Sequence, residues 1–347
     1  MTVRRAEEGK PVQFNTRLNA LFATRLPIVA GGLQWLSKAE YVAAAVNAGV
    51  MGFITAASFP DDATLRAEIR RCRELTGGRD FGVNVSMLPK LPSGDRTDRI
   101  IDIVIDEGVP FVETSGRSPE LYVRRLHAAG TRIIHKVPAV RFARKAEAVG
   151  VDAVSVVGAE CGGHPGMDLI GTFVQAAIAA KSLSIPLAVG GGVGTGAHLV
   201  AALALGADGV LIGTRFLVSA EIPAHPDYKR HLVEATETGT DLILASLRNT
   251  ARVLRNETAR IVRDLEIRGA GDIETLLPYV SGEVGREAYR TGKVSQGALS
   301  LGQSVVFADR VEPLADIVAR IEREATDALD RLATQCGRVA RENDHGL

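Results

Sequence analysis

Sulfur and aromatic rings are scarce in this chain. Its three cysteines, Cys72, Cys161 and Cys336, are odd in number and far apart. They supply neither a disulfide framework nor a C-x-x-C metal clip, and they suit a reducing compartment. Charge of either sign is not in excess: Lys plus Arg and Asp plus Glu both number 41. Nothing in that balance draws nucleic acid or an anionic membrane surface. No apolar run approaches the roughly 18 residues that cross a bilayer, and the Ala-rich stretch 199–205 is far too short. Residues 1–14 are polar and charged, without the apolar centre of a signal peptide. The expectation is a soluble, cytoplasmic protein with small-molecule partners, no nucleic acid, no membrane and no metal; a homodimer is left open.

What is present in quantity is a recurring phrase: an amphipathic helix, a glycine, then a short β-branched apolar run. It occurs at Gly49 before MGFITAA, Gly108 before PFVETSG, Gly130 before TRIIHKV, Gly150 before VDAVSVV and Gly206 before ADGVLIGT. Glycine after a helix takes up the left-handed conformation that ends it. The apolar runs do not alternate cleanly, as befits strands buried on both faces of a parallel sheet. Residues 27–30, 81–86 and 186–189 fit the same grammar and bring the strands to eight. An alternating chain of this kind is either an open doubly wound sheet or a closed barrel. Eight units within about 200 residues, nearly all ending in Gly or polar residues, favour a (β/α)8 TIM barrel. The pattern breaks after Phe216. The predicted division is a barrel over residues 1–220, a helical appendage over 221–295 lying across the C-terminal mouth, and a segment 296–347 whose last helix (311–332) returns to the barrel wall. Both HPDYKRHLVEATE and SLRNTARVLRN are read as helices of the appendage.

In such a barrel the reacting groups stand at the C-terminal strand ends. Strand seven ends in Gly190, Gly191 and Gly192, and strand eight in Gly213 and Thr214. Paired glycine turns at these two strands predict a phosphate held by backbone N–H groups; singly, each glycine is explained by a tight turn. Lys136 ends an otherwise apolar strand, where a buried amine needs an anionic partner, such as a reduced flavin ring, unless it simply reaches water. The loop Gly162, Gly163, His164 brings flexible backbone and a general base or hydrogen-bond donor to the mouth; a structural histidine bonding a loop carbonyl is the alternative. Cys161 is either a thiolate nucleophile or a small filler. His135 faces away from Lys136, toward the helix layer. His127, His198, His225 and His231 lack metal-ligand spacing.

The stretches PIVAGGLQW (27–35), FGVNVSMLP (81–89), IHKVPAVR (134–141), DAVSVVGAECGGHPG (152–166), GADGVLIGTRFL (206–217) and DLILASLRNTARVLRN (241–256) resemble the nitronate monooxygenase (2-nitropropane dioxygenase) family of flavin barrels. The similarity runs from about residue 15 to 300 and looks most like the NADH:quinone reductase branch. It implies noncovalent FMN with its ring against Ala30 and Gly31, and Asn84 and Lys136 at its polar edge. The phosphate would rest on Gly190, Gly191, Gly192, Gly213 and Thr214, with Gly162 and Gly163 against the ring or ribityl chain. It further implies His164 as the active-site base and Pro89 as a residue covering the site. NAD(P)H would be the electron donor and a quinone the acceptor. Two positions depart from the branch: an acidic residue is replaced by Val157 and a glutamine by Ala30. Nitronate oxidation with oxygen, enoyl-thioester reduction and a non-catalytic flavin carrier therefore stand beside quinone reduction.

Overall fold

The computed structural model describes residues 12–87 and 96–336. Eight parallel strands close into a barrel in sequence order: β1 (Ile28–Ala30), β2 (Met51–Thr55), β3 (Gly82–Met87), β4 (Phe111–Gly116), β5 (Arg132–Val137), β6 (Ala153–Val157), β7 (Leu187–Gly190) and β8 (Gly209–Ile212). Closure is direct, with Ala30 of β1 opposite Ile212 of β8. Helix α1 (Arg17–Phe22) precedes β1. Helices α2 (Ala39–Asn47), α3 (Asp62–Leu75), α4 (Thr97–Asp106), α5 (Glu120–Ala128), α6 (Val140–Ala148), α7 (Thr172–Ser182) and α8 (Gly196–Ala204) connect successive strands. The barrel expectation holds, and the eight strands fall where the apolar runs placed them.

Residues of one parity along the strands point inward and form their own cluster: Val29, Met51, Phe53, Phe111, Ile134, Ala153, Val157, Ala188 and Leu211. Helix α1 plugs the floor of this cluster with Leu18 and Phe22. The Phe22 ring meets Phe53 and Phe111 edge-on, at 6.2 and 5.0 Å between centroids. Phe53 needs the space that Gly82 leaves, since a Cβ there would stand 2.3 Å from its ring. Above this apolar floor the inward positions become polar: Thr55, Asn84, Glu113 and Ser155, all buried, and Lys136. The outward parity, including Ala30, Val83, Val112, Ile133 and Val154, packs on the helices.

Between β8 and the last helix the chain departs from the expected all-helical appendage. Helices α9 (Pro226–Val233), α10 (Glu257–Ile267), α11 (Ile273–Val280) and α12 (Gly282–Thr291) are present, but so is an antiparallel pair, β9 (Thr240–Ile243) and β10 (Ala251–Leu254). SLRNTARVLRN, read as a helix, is a turn followed by β10. Its Ala, Arg and Leu content suits a helix, yet Ala251, Val253 and Leu254 are buried against the small core of this unit, and tertiary packing overrides propensity. Helix α13 (Leu314–Cys336) then packs on α8 and α2 and completes the ring. Among the described residues no helix is long and apolar enough to cross a membrane.

Candidate active site

The strand ends bring most of the sequence-predicted residues to one mouth. Gly191 and Gly192 have φ of +94° and +74°, a conformation that suits glycine and turns the backbone after β7. A brace holds this turn. The Thr172 N–H, at the start of α7, donates to the Glu160 carboxylate at 3.0 Å, and the Thr172 hydroxyl lies 2.9 Å from the Gly190 and Gly191 carbonyl oxygens. After β8, Gly213 leads into a short 3-10 turn, Thr214–Val218. A Cβ on Gly213 would make only an ordinary contact with Leu33, at 3.5 Å.

This cradle fits a phosphate: two glycine turns without side chains, side by side through the Gly190–Leu211 register of β7 and β8. The N-terminus of α8 is a different matter. It begins with Thr195 as its cap, but the Gly196 N–H donates to Glu324 of α13 at 2.8 Å. That helix end already has its own carboxylate.

Lys136 is the point where the structure revises the sequence argument. Its amine has an anionic partner inside the protein, Glu113 of β4, with Nζ 3.1 Å from Oε2. The same oxygen accepts from Asn84 Nδ2. Asn84 lies directly beneath Gly32, where a Cβ would fall 2.7 Å from its side chain. Ser86 donates to Asn84 Oδ1, and Ser115 to Ser86, both at 3.3 Å, so a polar chain climbs from Glu113 to the rim. Glu113 was not singled out from the sequence. The signal was an acid in the middle of PFVETSG, a strand otherwise read as buried on both faces.

His164 stands exposed on the loop after β6, with Nδ1 3.3 Å from the Thr250 carbonyl oxygen. A carbonyl only accepts, so Nδ1 is the donor in this contact and Nε2 is the ring nitrogen left without a partner in it. The loop is tied down from the appendage: Gly163 exchanges two backbone bonds with Arg252 of β10, at 3.0 and 2.6 Å. Arg252 Nε also donates to the Ala159 carbonyl at 2.9 Å. Gly162 packs against the chain at Leu301 and Gly302, where a Cβ would stand 2.8 Å from the Gly302 nitrogen. The close approach it permits is therefore to the protein itself. The Gly302 N–H in turn donates to Thr214 Oγ1 at 2.9 Å.

Ala30 is fully buried with its methyl in the helix layer, so only its backbone can face the mouth. Val157 lies in the inner apolar cluster, and Cys161 packs against that cluster. Burial pushes the Cys161 thiol up to about 12, against the pull of Lys136 and Arg252. It is a filler, and no thiolate stands ready for covalent chemistry. His135 faces the helix layer as expected, with Nδ1 2.8 Å from Thr114 Oγ1. Pro89 falls outside the described residues. Two clefts lie on the outer surface, away from the strand ends. One, about 440 Å³, is lined by charges that already pair, Asp241 with Arg255 and Arg263; the other, about 360 Å³, is an apolar groove between α7, α8 and α13.

A closed parallel barrel of eight strands in sequence order, with helices between them, is the (β/α)8 architecture of many barrel enzymes. The sequence pattern of the nitronate monooxygenase family matches residues 15–96 and 89–324. The chain belongs to that family, and it is an oxidoreductase of that kind. A Mycobacterium tuberculosis (strain ATCC 25618 / H37Rv) protein named (3aS,4S,5R,7aS)-5-hydroxy-7a-methyl-1-oxo-octahydro-1H-indene-4-carboxyl-CoA dehydrogenase is 32% identical over 247 residues, 71% of this chain and 68% of that protein. Among solved structures, FabK from Thermotoga maritima is 32% identical, with a TM-score of 0.84 over 93% of this chain and 100% of that one. The nitroalkane oxidase from Streptomyces ansochromogenes is 28% identical, with a TM-score of 0.79 over 91% of this chain and 100% of that one.

Proposed function

We propose that the chain binds FMN without covalent attachment, accepts electrons from NAD(P)H and passes them to a quinone-like acceptor. The observation that carries the cofactor is the pair of glycine turns, Gly190 to Gly192 and Gly213 with Thr214, which suits the FMN phosphate. FMN, when bound, supplies a two-electron store that takes up and gives back hydride. Ala30 and Gly31 would offer backbone to its ring and Asn84 and Lys136 polar donors to its edge, whereas Gly162 and Gly163, packed on Leu301 and Gly302 and paired with Arg252, would serve it only by shaping the loop that carries His164. Pro89 is retained as a residue over the site. The residues proposed for the barrel (1–220), the appendage (221–295) and the returning segment (296–347) divide these roles: the first holds the cofactor, and the second fixes the His164 loop through Arg252.

His164 holds the proton chemistry. Its Nδ1 is committed to the Thr250 carbonyl, so Nε2 is placed to accept a proton from a substrate or to return one to a reduced acceptor. Val157, buried beneath the mouth, offers no charge to a substrate and suits an apolar one.

Anaerobic titration with NADH, followed at the flavin band near about 450 nm, tests this reading. Bleaching by NADH or NADPH, and recovery of the band on adding a quinone, is the expected result. A purified protein with no yellow band sinks the cofactor; a band that persists with both nucleotides sinks the donor. A second reading has its own support: the Mycobacterium tuberculosis relative is named for a CoA-thioester substrate. An unsaturated acyl-CoA that restores the band faster than any quinone would select it. An oxygen uptake driven by a nitronate, with none driven by NADH, would select nitronate oxidation instead.

A further inference from the structure

Glu113 is an acid that neither the glycine turns nor His164 explains. Its side chain is fully buried inside the barrel. Its Oε2 takes both Asn84 Nδ2 and Lys136 Nζ, while Oε1 has no hydrogen-bond partner among the described residues. A buried ion pair is a poor device for stability, because desolvation of both charges offsets their attraction and an apolar pair of similar volume does as well. The barrel floor shows that alternative in use, filled by Phe53, Phe111 and Ile134. The reason for the charge at this height lies elsewhere.

We propose that Glu113 is a positioning residue that holds Asn84 and Lys136 in place and neutralises Lys136, so that the flavin works beside a charge-balanced pair instead of a bare cation. This rests on the FMN reading above. Lys136 has three donors and Asn84 two on its amide nitrogen; Glu113 engages one of each, which orients the rest. Lys136 is about a quarter exposed, with a side-chain value of 23%, whereas its partner is 0% exposed, so the pair spans the boundary between interior and mouth. A flavin gains negative charge at its N1–O2 edge on reduction. A bare ammonium there would favour the reduced form strongly. A carboxylate at 3.1 Å from the same nitrogen cancels much of that pull. The neighbouring groups do not replace it: His135 points into the helix layer and the Cys161 thiol keeps its proton.

Sulfite provides the test, because it adds reversibly at flavin N5, bleaches the band, and binds more tightly where positive charge faces N1–O2. Glu113→Gln keeps the volume and the hydrogen-bond acceptor while removing the charge. It is expected to lower the sulfite Kd by about tenfold and to raise the midpoint potential of bound FMN. Glu113→Asp, which withdraws the carboxylate by one methylene but keeps its charge, is expected to tighten sulfite by about threefold and decides the matter if the Gln variant does not accumulate. A Kd and potential within about twofold of wild type in Glu113→Gln, or an unmoved Glu113→Asp, overturns the inference. Wild-type protein that purifies without flavin overturns the FMN reading itself, which is a separate result.

Discussion

His135 and Cys161 carry the consequences of burial at the scale of single side chains. Burial, aided by the adjacent Lys136, lowers the His135 imidazole from its ordinary 6.5 to about 4. Between those values the unfolded chain binds a proton that the folded chain refuses, so stability rises with pH across that window and is lost as pH falls through it. The full effect is on the order of 3 kcal/mol. Urea midpoints for wild type and His135→Gln should therefore converge as the pH drops from 7 toward 4; parallel curves would refute the assignment. Cys161 makes a simpler prediction. With its thiol raised to about 12, it should resist iodoacetamide at pH 8 while exposed Cys336 is labelled. His164→Ala, tested by steady-state kinetics, is expected to lower kcat by about 10²-fold or more while the flavin stays bound, because the proposed function gives its imidazole a role toward substrate and none in the glycine cradle.

At the scale of elements, β10 is the piece whose role the chain concealed. Read as a helix, SLRNTARVLRN lies over the mouth with its backbone groups spent within itself; as a strand it pairs Arg252 with Gly163 and steadies the His164 loop. Arg252→Met removes the bonds to the Ala159 carbonyl at 2.9 Å and the Thr240 hydroxyl at 3.1 Å but leaves the backbone pairing. The expected outcome is a loss of about 1–3 kcal/mol and faster amide hydrogen exchange in residues 159–166, read by mass spectrometry. The eight barrel strands were legible because each is a local event: a helix, a glycine, an apolar run. The β9–β10 pair was not, because its strands are four residues each and owe their form to a neighbour, not to their own pattern. The site divided in the same way. Glycines and His164 announce themselves by type, whereas the partnership of Glu113, Asn84 and Lys136 exists only once β3, β4 and β5 lie side by side in register.

Over the whole molecule the barrel has a closed end and an open one. Helix α1 stops the floor with Leu18 and Phe22, which closes that end to a ligand. Phe22→Ala would empty the space between Phe53 and Phe111 and is expected to cost about 3–5 kcal/mol in chemical denaturation, with the flavin spectrum unchanged in the protein that remains folded.

The ring of helices is closed by α13, which meets α8 so tightly that a Cβ on Gly196 would fall 2.1 Å from its backbone, and which lends Glu324 to the first turn of α8. About a hundred residues separate β8 from this helix in the chain. A nascent barrel leaving the ribosome therefore has all eight staves before it has its last hoop, and the apolar flank of α8 stays bare until α13 has been made. A polypeptide cut before α13 is expected to leave that flank of α8 exposed and to aggregate where the full chain does not, which light scattering after refolding checks.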